Sequence, residues 1–337
     1  MKWVKSYFYR CESKLAQEHG DLKTPEPFSY GAEYVDRPEA PNPLVALKSY
    51  ASEFIATSDR HFESRTPISL VEDDHSVRFN SRISSDVVEN NIVHLWHHPK
   101  PGAQTVVLVL PYWNAARARM MSLAKLVSWC GHSCAIMSLP YHDERQPAGW
   151  SHAKGLVSSN IGLTLRSMTQ ATCDAIDSIS ALRQMGYRNI AIMGSSIGAC
   201  VASLVDAHDP RPSAVFLILM AADFAECVWD GISTAHIRRS IEGHMSLDDL
   251  KAVWAPISPA TYVWKLPSKP RQKRLIISGR WDFTFPRHTV LAYREKLAEA
   301  KVPHVWLDWC CGHYTLGKAP FKYWFTVQLS KQLSALV

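Results

Sequence analysis

From about Gln104 onward, short unbroken apolar runs alternate with segments in which apolar residues recur every three or four positions. Thr105-Val-Val-Leu-Val-Leu110 and Cys134-Ala-Ile-Met-Ser-Leu139 are such runs. Being apolar at nearly every position rather than every second one, they predict strands covered on both faces. Ala115 to Cys130 reads as a helix, with Met120, Leu123, Leu126 and Val127 on one side and Gly131 just past its end. Asn160 stands where it can cap a long helix whose inner face is Ile161, Leu165, Met168, Thr172, Ile176, Ile179, Leu182 and Met185, and Gly186 ends it. Further strands are predicted over Asn189–Met193, Ala214–Leu219, Arg274–Ser278 and His304–Leu307. Helices are predicted after Ile197, over Pro286–Ala300 and near Phe321–Leu336. Buried strands alternating with amphipathic helices specify an α/β fold: a mostly parallel central sheet with helices on both faces.

Two segments break the alternation. Residues 1–90 form an expected N-terminal extension, with prolines at 25, 27, 38, 41 and 43 and a helix near Leu44–Thr57. A half-buried strand pair follows, Ser76–Ile83 with Val77, Phe79 and Ile83 in step, and Asn91–His97. Residues 223–269, carrying Trp229, Trp254 and Trp264, read as an inserted cap. The core is then 91–222 with 270–337. No internal repeat or low-complexity tract interrupts it.

Composition narrows the class. Of 337 residues, 47% are hydrophobic and 20% charged, which excludes a disordered chain. No apolar run reaches the roughly 18 residues of a spanning helix, so no integral membrane association is expected. The net charge of +6 is spread out. Its densest piece, Lys265, Lys269, Arg271, Lys273 and Arg274, is broken by two prolines and has no aromatic residue between its charges. It reads as a solvated connector, and no nucleic-acid partner is expected. The eight cysteines include no C-x-x-C pair and read as reduced thiols of a cytoplasmic protein, Cys310 and Cys311 included. The N-terminus has no signal-peptide pattern. Trp3, Tyr7, Phe8 and Tyr9 beside Lys2, Lys5 and Arg10 read as a helix packed on the body, with a membrane-interface or dimer contact as the alternative. The oligomeric state is not legible.

The chemistry begins at Gly194-Ser195-Ser196-Ile197-Gly198, a G-x-S-x-G that follows a buried strand and opens a helix. A nucleophile on that tight turn is lifted out of the sheet to the helix N-terminus, where free N–H groups can stabilise an oxyanion. A serine hydroxyl needs a base, and the base needs an anion to fix its tautomer. Asp282 follows the strand in Leu275-Ile-Ile-Ser-Gly-Arg-Trp-Asp282, and His313 follows the next strand in the same way. In a parallel sheet, residues beyond the strands' C-terminal ends meet at one edge, where open α/β sheets bind ligands. Asp223 is a rival acid, better read as the cap of the inserted segment.

On these residues the stretch from about 91 to 337 resembles the α/β-hydrolase superfamily. Leu110-Pro-Tyr-Trp-Asn114 and Leu139-Pro-Tyr-His-Asp-Glu-Arg-Gln-Pro147 are similar to motifs of a poorly characterised group of bacterial serine hydrolases. The resemblance implies the α/β-hydrolase fold, with Ser196 as nucleophile, His313 as base and Asp282 as its orienter. It also implies oxyanion donors at the N–H of Ile197 and in the loop after the early central strand. That loop reads Pro111-Tyr112-Trp113 here; proline has no N–H, so Tyr112 or Trp113 must donate.

The loop Tyr141–Arg145 lies past another strand end. His142 and Arg145 are therefore candidates to hold a polar group of the substrate, the alternative being an internal salt-bridged loop. His94, His97 and His98 share no single face, so no metal is expected. No phosphate-cradling glycine loop appears, so no cofactor is expected. The expected activity is that of a serine hydrolase, carboxylesterase-like, cleaving an ester or related acyl bond through an acyl-enzyme. Its substrate is expected to be a small molecule with an apolar or aromatic part, from the cap tryptophans and the Tyr112–Trp113 loop. The same residues would serve a carbon–carbon bond hydrolase, a peptidase or a thioesterase, and a non-catalytic binding protein with this fold is the remaining alternative.

Overall fold

Among the described residues, the apolar runs become the middle of a nine-stranded sheet. In this computed structural model, residues 2–20, 24–37, 39, 41–268 and 273–336 are described. The side chains of Lys2, Trp3 and Lys5, together with Pro38, Lys269 and Arg271, lie outside the described residues. In chain order the strands are β1 (Val71–Glu72), β2 (Ser76–Asn80), β3 (Ile92–His98), β4 (Thr105–Leu110), β5 (Ser133–Met137), β6 (Asn189–Ser195), β7 (Ala214–Ile218), β8 (Lys273–Gly279) and β9 (Val305–Trp309). Side by side they run β1-β2-β3-β5-β4-β6-β7-β8-β9. The pairs from β5 to β9 are parallel, and β1, β2 and β3 add an antiparallel edge.

Side chains alternate between the two faces of a strand. Val106, Leu108 and Leu110 accordingly join one core cluster and Val107 and Val109 the other. β6 divides the same way, Ile190 and Ile192 against Ala191 and Met193. Each such fully buried Val, Leu or Ile contributes roughly 1.5–3 kcal/mol. A strand with both faces covered can keep that contribution only by being apolar throughout, which is the pattern the sequence shows.

The helices are α1 (Lys2–Gly20), α2 (Pro43–Ala56), α3 (Ser58–His61), α4 (Arg117–Trp129), α5 (Ile161–Gln184), α6 (Ile197–His208), α7 (Phe224–Asp230), α8 (Ala235–Ile241), α9 (Leu247–Trp254), α10 (Arg287–Glu299) and α11 (Phe321–Ser334). α5, α6 and α10 pack on one cluster, α4 and α11 on the other. α7, α8 and α9 lie within 223–269 and seat Trp254 in the first cluster, where its Nε1 donates to the carbonyl of Ile161 at 3.0 Å. Among the described residues, no helix is long and apolar enough to cross a membrane.

α5 is capped as the sequence predicts: the Asn160 side chain accepts the N–H of Leu163 at 2.9 Å, and Gly186 turns away at φ 97. Its polar residues Gln170, Asp174 and Asp177 are nevertheless buried, because part of the first ninety residues covers them. Arg65 and Arg82 both pair with Asp177, and Ser81 Oγ donates to Asp174 at 2.7 Å. A Cβ on Gly162 would lie 1.9 Å from the carbonyl oxygen of Gly31, so the two segments touch backbone to backbone there. With β1 and β2 also extending the sheet, this region is packed into the body of the protein. Phe8 of α1 meets Phe321 of α11 edge-on at 4.8 Å, while Tyr7 and Tyr9 remain exposed.

The register places the loops that matter. Leu110 lies opposite Gly194, Ser195 opposite Ile218, and Gly279 opposite Trp309. The segments that leave these strands, 111–114, 195–198, 280–285 and 310–314, therefore emerge at the same edge of the sheet.

Candidate active site

β6 passes into α6 through a turn with no spare room. Ser196 has φ 57 and ψ −122, a conformation that costs a non-glycine residue on the order of 1–3 kcal/mol. Its N–H donates to the carbonyl of Ile218 at 2.9 Å, tying the turn to β7. The flanking glycines are required by contact, not by unusual torsions. A Cβ on Gly194 would lie 2.1 Å from the oxygen of Gly198, and one on Gly198 would lie 2.1 Å from the oxygen of Leu110. The start of α6 can thus press against the end of β4 only where side chains are absent.

Three side chains meet above this turn. Ser196 Oγ lies 2.8 Å from His313 Nε2, and His313 Nδ1 lies 2.9 Å from Asp282 Oδ2. A carboxylate only accepts, so the proton sits on Nδ1 and Nε2 is left to accept from the serine hydroxyl. The other oxygen of Asp282, Oδ1, accepts the N–H groups of Thr284 and Phe285 at 2.9 and 2.8 Å. Phe285 sets its ring edge against the imidazole at 5.2 Å. Burial disfavours the imidazolium, but the charge and hydrogen bond of Asp282, with a further contribution from Glu12, outweigh it and hold the His313 pKa above its ordinary value. The arrangement can take a proton from Ser196 and return it to a leaving group.

The loop after β4 is pinned from beneath. Asn114, at φ 57, donates its N–H to His142 Nε2 at 3.0 Å, and its side chain accepts the N–H of Ala153 at 2.8 Å. Trp113 Nε1 donates to the carbonyl of Ala153 at 3.0 Å. With Pro111 lacking an N–H and that of Asn114 committed, the backbone amides of Tyr112 and Trp113 are the loop's candidate oxyanion donors. The Leu110–Gly194 register brings this loop against the start of α6, where a Cβ on Gly198 would lie 2.5 Å from the oxygen of Pro111.

His142 and Arg145, expected from the sequence to border the pocket, require correction. Both are buried among protein partners. His142 Nδ1 donates to the carbonyl of Pro140 at 2.9 Å while Nε2 accepts from Asn114, and burial pushes its pKa down to about 4. It is a neutral brace under the candidate oxyanion loop. Arg145 pairs with Asp174 at 2.8 Å and donates to the carbonyls of Asn90 and Ser138. It links the turn before β3, the loop after β5 and α5 as an internal ion pair. Asp223 caps α7, accepting the N–H of Glu226 at 3.0 Å.

Glu12 has no counterpart in the sequence reading. This buried carboxylate of α1 accepts the N–H groups of Tyr314 and Thr315, directly after His313. It follows no motif, and no local pattern marks it.

A cavity of about 200 Å³ adjoins Trp113 and is lined among others by His152, Lys154, Ser158, His236 and Ile237. Glu26, also in its wall, lies 3.5 Å from Lys154. Among the described residues no three His, Cys, Asp or Glu side chains are gathered as metal ligands. All eight cysteines are free thiols.

No protein-family model matches the sequence, and no curated protein matches it. Solved structures do match in shape. An acetyl xylan esterase from Paenibacillus sp. R4 superposes with a TM-score of 0.58 at 14% identity, over 91% of this chain and 99% of that one. Acetyl xylan esterase 1 from Thermoanaerobacterium sp. JW/SL YS485 gives 0.56 at 13%, over 92% and 99%. An acylaminoacyl peptidase from Pyrococcus horikoshii gives 0.56 at 12%, over 76% of this chain and 41% of that longer one. At such identities the likeness is one of fold.

Proposed function

We propose that this chain, which has the α/β-hydrolase fold, is a serine hydrolase that cleaves an ester or related acyl bond, with Ser196, His313 and Asp282 as its catalytic residues. The observation that carries the proposal is the unbroken row from Ser196 through His313 to Asp282, at 2.8 and 2.9 Å. Ser196 Oγ attacks the carbonyl carbon as His313 Nε2 takes the hydroxyl proton. Negative charge forming on the carbonyl oxygen is met by the N–H of Ile197 and by that of Trp113 or Tyr112, in a site already organised before reaction. The C–O bond to the alcohol then breaks, and His313 gives that alcohol its proton. Water, deprotonated by His313, attacks the acyl-enzyme, and the acid leaves as Ser196 regains its proton.

The test of this reading is labelling by a fluorophosphonate probe. The folded protein is expected to be modified at Ser196; an unmodified protein would favour the non-catalytic binding role. The acid limb of kcat/KM tests the base. His313 works only when unprotonated, and its pKa is raised. Activity is therefore expected to be full at alkaline pH and to fall with an apparent pKa above the ordinary histidine value of about 6.5. A limb below that value would contradict the environment described for the imidazole.

The cavity beside Trp113, whose wall includes none of Ser196, Asp282 and His313, mixes polar and apolar groups. Trp254 is spent in the core. The lining offers hydroxyl, imidazole and paired charged groups beside Trp113, Val157 and Ile237, and about 200 Å³ is small for a long acyl chain. A short acyl group on a polar alcohol suits that space, and two of the structurally similar proteins are acetyl xylan esterases. Across p-nitrophenyl acetate, butyrate and octanoate, kcat/KM is expected to be about tenfold or more higher for acetate than for octanoate. The opposite order would return the substrate to the apolar class.

A further inference from the structure

We infer that Glu12 is a positioning residue for His313: from α1, its carboxylate holds the loop that carries the imidazole and places a second negative charge behind it. The inference rests on the proposed role of His313 as base and adds to it a requirement for the N-terminal helix.

The contact is built from both sides. Glu12 Oε1 accepts the N–H of Tyr314 at 3.0 Å and Oε2 accepts the N–H of Thr315 at 2.8 Å. A carboxylate buried as fully as this one, at 0% exposure, is costly unless hydrogen bonds replace its water. Here each oxygen receives a backbone donor. The loop in turn is shaped to admit it. A Cβ on Gly312 would lie 2.3 Å from Glu12 Cδ and 2.4 Å from the oxygen of Trp281, so only glycine allows the approach. The N–H of Gly312 donates to Thr315 Oγ1 at 2.9 Å, closing the turn around His313. Tyr314 and Ser233 join their hydroxyls at 2.6 Å, tying the same loop to the inserted segment.

The charges around the imidazole give Glu12 a second effect. Asp282 faces His313 from the loop after β8, and Glu12 faces it from α1. Cys311 and Tyr314, on the histidine's own loop, are kept neutral as burial raises both. Glu12 therefore adds to Asp282 in favouring the protonated imidazole. Burial, with a smaller contribution from Asp282, raises the pKa of Glu12 itself, against the pull of its hydrogen bonds to Tyr314 and Thr315.

The test compares Glu12→Gln and Glu12→Asp in the full-length chain. Glu12→Gln removes the charge and turns one oxygen into a donor that meets an N–H. It is expected to lower kcat about tenfold or more and to move the acid limb of kcat/KM to lower pH by about 0.5 unit or more. Glu12→Asp keeps the charge at shorter reach. It is expected to lower kcat while leaving the limb close to that of the wild type. A merely structural residue would change activity without moving the limb, so a Glu12→Gln limb at the wild-type position overturns the inference. Hydrogen exchange of the wild-type chain judges it without any variant. The Tyr314 and Thr315 amides are expected to exchange as slowly as core strands, and fast exchange there would overturn it. Fluorophosphonate labelling separates the two ideas. An unlabelled wild type ends the hydrolase reading, whereas a labelled wild type with an unshifted Glu12→Gln limb ends only this one.

Discussion

Ser196→Ala is expected to lower kcat/KM for acetate esters by about 10⁴-fold or more while the protein stays folded. Ser196 Oγ is the atom 2.8 Å from His313 Nε2, and alanine leaves nothing there to form the covalent intermediate. The residual rate would come from the backbone donors near Ile197 and from binding alone. The fold should tolerate the change. The turn is held by the Ser196 N–H to Ile218 and by the close packing of Gly194 and Gly198, none of which involves the hydroxyl. Loss of one hydrogen bond costs about 1 kcal/mol. Steady-state kinetics beside thermal melting of the same preparations would check both halves. Activity near that of the wild type would remove Ser196 from the mechanism.

Arg145→Met is expected to act on stability instead, by about 3–5 kcal/mol. The substitution removes the guanidinium that faces Asp174 and leaves a carboxylate buried at 0% exposure without its counter-charge. It also leaves the carbonyls of Asn90 and Ser138 without those donors. Burial already raises the Asp174 pKa, with Arg145 the largest influence opposing it. With the arginine gone, the carboxyl is driven further toward its neutral form. Native stabilities are typically about 5–15 kcal/mol, so a loss of this size would show as a large fall in the urea midpoint. KM of the remaining folded enzyme should change little. An unchanged midpoint with a raised KM would restore Arg145 to the substrate pocket.

The contrast between these residues shows what could be read in advance. Ser196 is marked by its neighbours in the chain, because the glycines that make the turn possible must lie two positions to either side. Thr105–Leu110 is marked as a buried strand because both its faces are covered. Arg145 has no such mark. A charged residue in a loop past a strand end reads alike whether it points to a substrate or inward to α5, and only the placement of Asp174 decides. The cap tryptophans divide in the same way: Trp254 is buried in the core while Trp264 is 70% exposed.

From its sequence alone, this protein's layered α/β architecture and the glycine-flanked turn at Ser196 are determined, since each follows from local periodicity or from a backbone turn that few residues can make. Tertiary structure alone decided that His142 braces a loop, that Arg145 neutralises Asp174, and that Glu12 reaches the histidine loop from α1. Those contacts join residues far apart in the chain. Short-range patterning carries no information about which distant charge a buried group will meet, and that pairing is set only when the layers close over it.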